Sequence, residues 1–330
     1  MATLYLTEQG SMIRKTSDRL VVMKKREVLA EIPCAKLETI FLYGSVQVTT
    51  QALAELLDNG IELAFFTMSG RLRGQITPPK AKNVILRMKQ YELVSDQQRC
   101  LALAKELVAA KIHNSAGLLR RLRIHHPESV PLEPIQELEL QAERVSTVAS
   151  LEELRGVEGS AAARHFSALT GVLPREIGFT GRNRRPPRDP MNALLSFGYV
   201  LVGNELQSLL DGMGFDPYIG FFHQLDYGRP SLALDLLEEL RAPLVDRFSL
   251  GLLSRRQLTP ADFEQTPEKG CRLHREPLRR YFAAYEAELG RTIRVADEDL
   301  TFRQVFRRQA EGLARSLTTG DPYRSFRWPT

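Results

Sequence analysis

Only three cysteines occur in 330 residues, Cys34, Cys100 and Cys271, an odd number spaced too widely for CxxC chemistry or a structural zinc site. A disulfide framework is excluded as the source of stability, and a reducing cytoplasm is the expected compartment. Long apolar runs are missing too. The longest, LLSFGYVLVG from Leu194 to Gly203, is roughly half of what a bilayer-spanning helix requires, so no membrane partner is expected. The opening MATLYLTEQG lacks the basic and apolar regions of a secretory signal. GxxxxGKS/T, GxGxxG, HExxH and GxSxG are all absent, which removes the usual signatures of nucleotide hydrolysis, hydride transfer, zinc proteolysis and serine-based acyl transfer.

What is present is an ordinary globular composition, 43% hydrophobic and 26% charged, in a chain long enough for about two domains. The net charge of +5 permits a polyanionic partner without demanding one. Its distribution says more. The stretch TGVLPREIGFTGRNRRPPRDP, from Thr170 to Pro190, carries Arg175, Arg182, Arg184, Arg185 and Arg188 against Glu176 and Asp189. From Cys271 to Thr330 there are twelve arginines, no lysine and eight acidic residues. Arginine's planar fork binds phosphate oxygens two at a time. Two solvated charged faces would give the same counts.

Hydrophobic period divides the chain. Up to about Pro78 it reads as short β-rich runs, TLYLTE, RLVVMKK, EVLAEIP, ETIFLYG and IELAFFT, interrupted by one helix in TTQALAELLDNG that Thr49 or Thr50 caps and Gly60 ends. The prolines of TPPKAKN mark a boundary, and beyond Asn83 the apolar residues recur at three and four. The expected architecture is α+β: a β-strand-rich domain over residues 1–78, a linker over 79–86, and a larger all-α-helical domain over 87–330. HHPESVPLEP and FTGRNRRPPRDP read as loops, the second a mobile one.

Two segments hold acids in unusual surroundings. Glu158 in LRGVEGSAAARHF has neighbours of very little bulk, which would let it project into a tight helix junction; an exposed acid near a helix start explains it equally well. In FFHQLDYGRPSLALDLLEELRAPLVDR, His223 follows two phenylalanines, and a helix opened by Pro230 and Ser231 carries Asp235 and Glu238 at i and i+3 on one face. Carboxylates so placed can converge on a hard divalent cation, with an imidazole tilting the site toward Mn²⁺ while Mg²⁺ still fits. Spacing alone leaves a second reading open. Leu232, Leu236, Leu237 and Leu240 form an apolar stripe, and Asp235, Glu238 and Glu239 could be the solvated opposite face.

LRGVEGSAAARHF, FTGRNRRPPRDPMNALLSFGYVLV, GFDPYIGFFHQLDYGRPSLALDLLEELRAPLVDR and KGCRLHREPLRRYFAAYE, in this order behind a strand-rich start, resemble the CRISPR-associated endonuclease and integrase family Cas1 over nearly the whole chain. The resemblance implies an N-terminal β-domain that mediates homodimerisation and a helical catalytic domain. It implies a Mg²⁺ or Mn²⁺ ion held by Glu158, His223 and Glu238, with Asp235 supporting them or serving as an alternate ligand. His165 departs from the aromatic expected at its position.

The implied reaction is insertion of captured double-stranded DNA fragments into a CRISPR array, by attack of a 3′-hydroxyl on a phosphodiester of the repeat. The implied partners are that DNA and the small protein Cas2, which joins two dimers in a heterohexamer. Arg164, Arg182, Arg184, Arg185 and Arg188 are expected to meet backbone phosphates near the ion, and Lys111 and Asn114 resemble a further polar pattern of the family. Two other readings keep the same residues: a catalytically silent DNA-binding scaffold, and a metal-dependent nuclease of branched DNA or RNA in repair.

Overall fold

A computed structural model of the chain describes residues 2–68, 72–77, 83–183, 186–223, 226–268 and 270–329. The chain divides into two compact units, Met1–Lys82 and Asn83–Thr330.

The first unit is strand-rich because its apolar residues alternate or run in short β-branched stretches. It contains β1 (Ala2–Leu6), β2 (Ser11–Thr16), β3 (Arg19–Lys24), β4 (Glu27–Pro33), β5 (Leu37–Tyr43), β6 (Gln47–Val48), α1 (Thr50–Asp58), β7 (Glu62–Phe66) and β8 (Leu72–Ile76). One sheet has the order β1-β5-β7-β8, parallel except for the last pair, and the other β4-β3-β2-β6. Ile13, Leu20, Ile40, Leu42, Leu56 and Leu63 from both sheets and α1 form a shared core. Thr49 caps α1 by accepting from the Ala52 amide at 3.3 Å, and Gly60 takes the left-handed φ of 70° that turns the chain into β7. β2 and β8 had no counterpart in the pattern reading, since SMIRKT and LRGQI are too polar to show an alternation.

The second unit is mostly helical: α2 (Val84–Ser95), α3 (Gln97–His125), α4 (Glu133–Arg144), α5 (Leu151–Leu169), α6 (Pro190–Met213), α7 (Ser231–Glu238), α8 (Arg247–Ser254), then hairpin β9 (Phe263–Thr266) with β10 (Gly270–Leu273), α9 (Arg275–Leu289), hairpin β11 (Thr292–Val295) with β12 (Glu298–Thr301), and α10 (Phe302–Thr319). The two hairpins qualify the all-α expectation; four-residue strands are too short to register as a period. The expected linker is also shorter than read. Asn83 accepts from the Leu86 amide at 3.1 Å and starts α2 at Val84, so residues 84–86 are a helical turn, while 79–82 lie outside the described residues.

The 29-residue α3 is the spine of this unit and packs against α4, α5 and α7. Asp96 caps it through the amides of Gln98 and Arg99, both at 3.1 Å. α6 is long and apolar enough by composition to cross a bilayer, but Leu194, Leu195, Leu201, Val202, Leu206 and Leu210 are spent on the core of this unit. Asp189 caps α6 at the Asn192 amide, 2.9 Å, and Gly214 closes it at φ 99°.

Candidate metal centre

Glu158 does not sit near a helix start. Ser150 caps α5 and Glu158 lies in its third turn, its side chain 19% exposed. Nor are its glycines packing glycines. A Cβ on Gly156 or Gly159 would meet nothing within 4 Å, so they leave the α5 face bare rather than admit a neighbouring backbone. Close approach occurs instead at Gly220, where a Cβ would stand 2.8 Å from Asp235 Oδ2 and from Ser231.

That approach lets the chain wrap around one carboxylate. Asp235, fully buried, accepts the amides of Phe221 (2.5 Å) and Phe222 (3.0 Å) on Oδ2, and the amide of His223 (2.9 Å) on Oδ1. The same Oδ1 lies 2.7 Å from His223 Nδ1. A carboxylate facing Nδ1 places an imidazole proton there and turns Nε2 outward. Nε2 points to Glu238 Oε1 at 3.5 Å. The solvated-face reading of α7 is therefore overturned: Asp235, Glu238 and Glu239 are all buried, because each is neutralised or hydrogen-bonded from another element.

Glu238 is 3% exposed and faces three basic groups. Its Oε1 meets Arg241 at 3.0 Å, and its Oε2 meets Lys111 Nζ at 2.5 Å. Burial alone would raise its carboxyl pKa, but Arg241, Lys111 and His223 together outweigh that and hold it well below the usual carboxylate range. Lys111, from the middle of α3, also pairs with Glu158 Oε1. One ammonium thus bridges the two carboxylates, and His223 Nε2 faces the second of them. No three His, Cys, Asp or Glu side chains among the described residues form a closed ion cage, since the lysine stands between the acids.

Do these residues fit a divalent ion? Glu238 Oε2 is buried and, apart from the approach of Lys111, has no hydrogen-bond partner. Two carboxylates within reach of one cation, with an imidazole nitrogen beside them, are the donor set of a Mg²⁺ or Mn²⁺ site. The fit is good.

A second network holds the far side. Arg241 opens a π-helical turn, Arg241–Asp246, and lies 4.4 Å over the Tyr199 ring. The Tyr199 hydroxyl donates to Asp246 Oδ1 at 2.5 Å, and His165 Nε2 lies 2.9 Å from Asp246 Oδ2. His165 is thus a buried α5 residue tied to this turn, and not a DNA contact. Sequence reasoning missed Arg241, although its i+3 spacing from Glu238 was a usable signal; nothing local announced Tyr199 or Asp246.

Several expected phosphate contacts are corrected. Asn114 is fully buried; its Nδ2 donates to the carbonyls of Glu239 (2.7 Å) and Phe326 (2.9 Å), and its Oδ1 accepts the Trp328 amide (2.7 Å). Lys111 is engaged by Glu158 and Glu238. Arg164 grips Glu137 on α4 through two guanidinium nitrogens. Arg182 pins its own loop, donating to Asn192 Oδ1 (2.8 Å) and Ser196 Oγ (3.1 Å), so the described part of the loop expected to be mobile is anchored to α6. Arg184 and Arg185 lie outside the described residues. Arg188 is exposed.

The sequence pattern of the family described as CRISPR associated protein Cas1 matches residues 4–287. The chain belongs to the Cas1 family. Over 321 residues it is 35% identical to the CRISPR-associated endonuclease Cas1 3 of Thermus thermophilus, covering 96% of this chain and 94% of the relative. A casposase bound to its integration product shares the fold at a TM-score of 0.88 and 24% identity, covering 100% of this chain and 94% of the other. A chain of a partial Cas6-RT-Cas1–Cas2 complex superposes at a TM-score of 0.70 with 25% identity, over 100% of this chain and 99% of the other. This Cas1 is a CRISPR-associated endonuclease.

Proposed function

We propose that this Cas1 inserts double-stranded DNA fragments into a CRISPR repeat, using a Mg²⁺ or Mn²⁺ ion held by Glu158, His223 and Glu238. One observation carries the reading: carboxylates from α5 and α7 converge on a single cationic group, and His223 Nε2 lies 3.5 Å from the second of them.

The reaction is attack of a fragment's 3′-hydroxyl on a repeat phosphodiester. Negative charge grows on the phosphate oxygens and on the departing oxygen. A bound dication supplies Lewis-acid stabilisation of that charge. The chain's own groups do the rest. Asp235 keeps a proton on His223 Nδ1, and Arg241 balances Glu238 so that the carboxylate stays ionised. Lys111 is the counter-charge of both acids when no other cation is present. With water in place of the hydroxyl the same groups cleave DNA. No protein nucleophile is needed, in keeping with the motifs the sequence lacks. Arg188 and the arginine-rich segment after Cys271 supply phosphate neutralisation, which makes DNA binding weaken steeply with salt.

The homodimer, the Cas2-bridged heterohexamer and the cytoplasmic setting belong to this proposal. The relative captured with Cas2 supports the choice of partner.

The test supplies a short duplex with 3′-hydroxyl ends, a supercoiled repeat-bearing plasmid, Cas2 and Mn²⁺, and compares wild type with Glu158→Ala, His223→Ala and Glu238→Ala. Joining is lost in all three while each stays folded. Full joining by any two of them removes the assignment.

A further inference from the structure

After α10 the chain has no helix or strand from Gly320 to Pro329, yet Tyr323, Phe326 and Trp328 are buried. An extended segment has no hydrogen bonds of its own to satisfy its backbone, so burying it demands partners from elsewhere. Glu106 accepts the Ser325 amide and Gln309 donates to the Arg324 carbonyl, both at 3.1 Å, and two further partners are side chains next to the acidic centre. Asn114 accepts the Trp328 amide at 2.7 Å and donates to the Phe326 carbonyl at 2.9 Å. The Glu239 carboxylate accepts the Phe326 amide on Oε2 and the Tyr323 hydroxyl on Oε1, the latter at 2.6 Å. Asn114 also donates to the Glu239 carbonyl at 2.7 Å, closing a ring of hydrogen bonds that joins α3, the end of α7 and the strap. Further along, Trp328 lies under the Arg121 guanidinium at 3.9 Å, and Arg121 donates to the Pro329 carbonyl.

The two anchors occupy telling positions. Asn114 is one turn beyond Lys111 on α3, and Glu239 directly follows Glu238. The strap therefore ties together the two backbones whose spacing decides how Lys111 and Glu238 meet. A neutral amide and a buried carboxylate, neither turned toward the Glu158–Lys111–Glu238 cluster, have every polar atom used in this task.

We propose that residues 321–329 are a positioning strap for the ion site: by cross-linking Asn114 to Glu239 they set the distance between α3 and the end of α7, and with it the affinity for the divalent ion. The proposal rests on the assignment of Glu158, His223 and Glu238 as ion ligands.

The experiment titrates the full chain with Mn²⁺ by calorimetry, without DNA, for wild type, Asn114→Ala, Trp328→Ala and Glu239→Gln. Affinity for a fragment duplex is measured in parallel in EDTA. Asn114→Ala and Trp328→Ala weaken Mn²⁺ binding roughly tenfold, the scale at which residues behind a ligand act. Glu239→Gln, which can still accept the Phe326 amide, retains most of it. DNA affinity in EDTA does not change. Should the variants melt earlier yet bind Mn²⁺ as wild type does, the strap only stabilises the fold and the proposal is overturned. Where Asn114→Ala does not fold, Trp328→Leu keeps an apolar filling while losing the stack on Arg121, and the same two outcomes decide. If wild type itself binds no Mn²⁺, it is the ligand assignment that fails, and the strap proposal falls with it.

Discussion

Asp235 holds His223 by both its backbone and its ring: the amide nitrogen lies 2.9 Å and Nδ1 2.7 Å from the same Oδ1. The imidazole cannot rotate without breaking the Nδ1 bond, the amide bond holds the backbone that carries it, and a carboxylate that only accepts keeps a proton on Nδ1. Asp235→Asn replaces one accepting oxygen with a donor facing N–H groups. Mn²⁺ affinity should then fall on the order of tenfold or more, measured by calorimetry. Unchanged affinity in a folded Asp235→Asn protein removes the role given to Asp235.

Gly220 is the position where added bulk most directly disturbs this arrangement. A methyl group there would stand 2.8 Å from Asp235 Oδ2 and from the Ser231 backbone. Overpacking of this kind costs about 1–3 kcal/mol, so Gly220→Ala should lower the melting temperature and weaken Mn²⁺ binding together. Gly156→Ala and Gly159→Ala, which fill open space in a helix interior, should leave the fold intact or make it more stable. Equal losses at all three positions would contradict the assignment of the close approach to Gly220.

Lys111 neutralises both Glu158 and Glu238 when no other cation does. Removing one partner of a buried ion pair costs about 3–5 kcal/mol; with Glu158 partly exposed and Arg241 still on Glu238, the lower end applies. Lys111→Met should melt earlier than wild type in EDTA and gain more stability from saturating Mn²⁺, because the ion then serves carboxylates left without a counter-charge. Equal Mn²⁺-induced shifts in melting temperature for the two proteins would count against the ammonium standing in the ion's place.

Adjacent glutamates behave oppositely. Glu238 is held low by its basic neighbours, whereas burial pushes the Glu239 carboxyl up to about 7 against the hydrogen bonds from Tyr323, Phe326 and Gln309. A raised folded-state pKa means the native protein keeps a proton that the unfolded chain has released. This contribution is complete below the unfolded carboxylate range and is lost as pH rises through about 7. Wild type should therefore lose stability between pH 5 and pH 8 relative to Glu239→Gln, whose amide does not titrate. Denaturant midpoints for both proteins across that range test the sign; parallel curves would show that Glu239 does not titrate there.

The pattern reading resolved the division into strands and helices because each element type imposes its own apolar period. It found the helix capped by Thr49, and it placed the His223, Asp235 and Glu238 segment on and before a helix. It left that helix's exposure open. Leu232, Leu236, Leu237 and Leu240 announce one buried face, but charged residues read as solvent-facing until the groups that neutralise them are known. Lys111 lies 127 positions before Glu238 and Asn114 lies 125 before Glu239. No local pattern reports such distances. Glu158, His223 and Glu238 were named together through likeness to a family and not through spacing.

Residue order alone therefore determined the strand and helix content, the capping signals, the absence of a nucleophile motif and the likeness that identifies the family, since each of these is local or additive along the chain. Tertiary structure alone decided which charges are shared: that Lys111 bridges Glu158 and Glu238, that Asp235 orients His223 and does not face solvent, and that Asn114 ties down a strap where a DNA contact had been expected. The physical reason is range. Hydrogen bonds and ion pairs act over a few ångströms, and only folding brings residues more than a hundred positions apart within that reach.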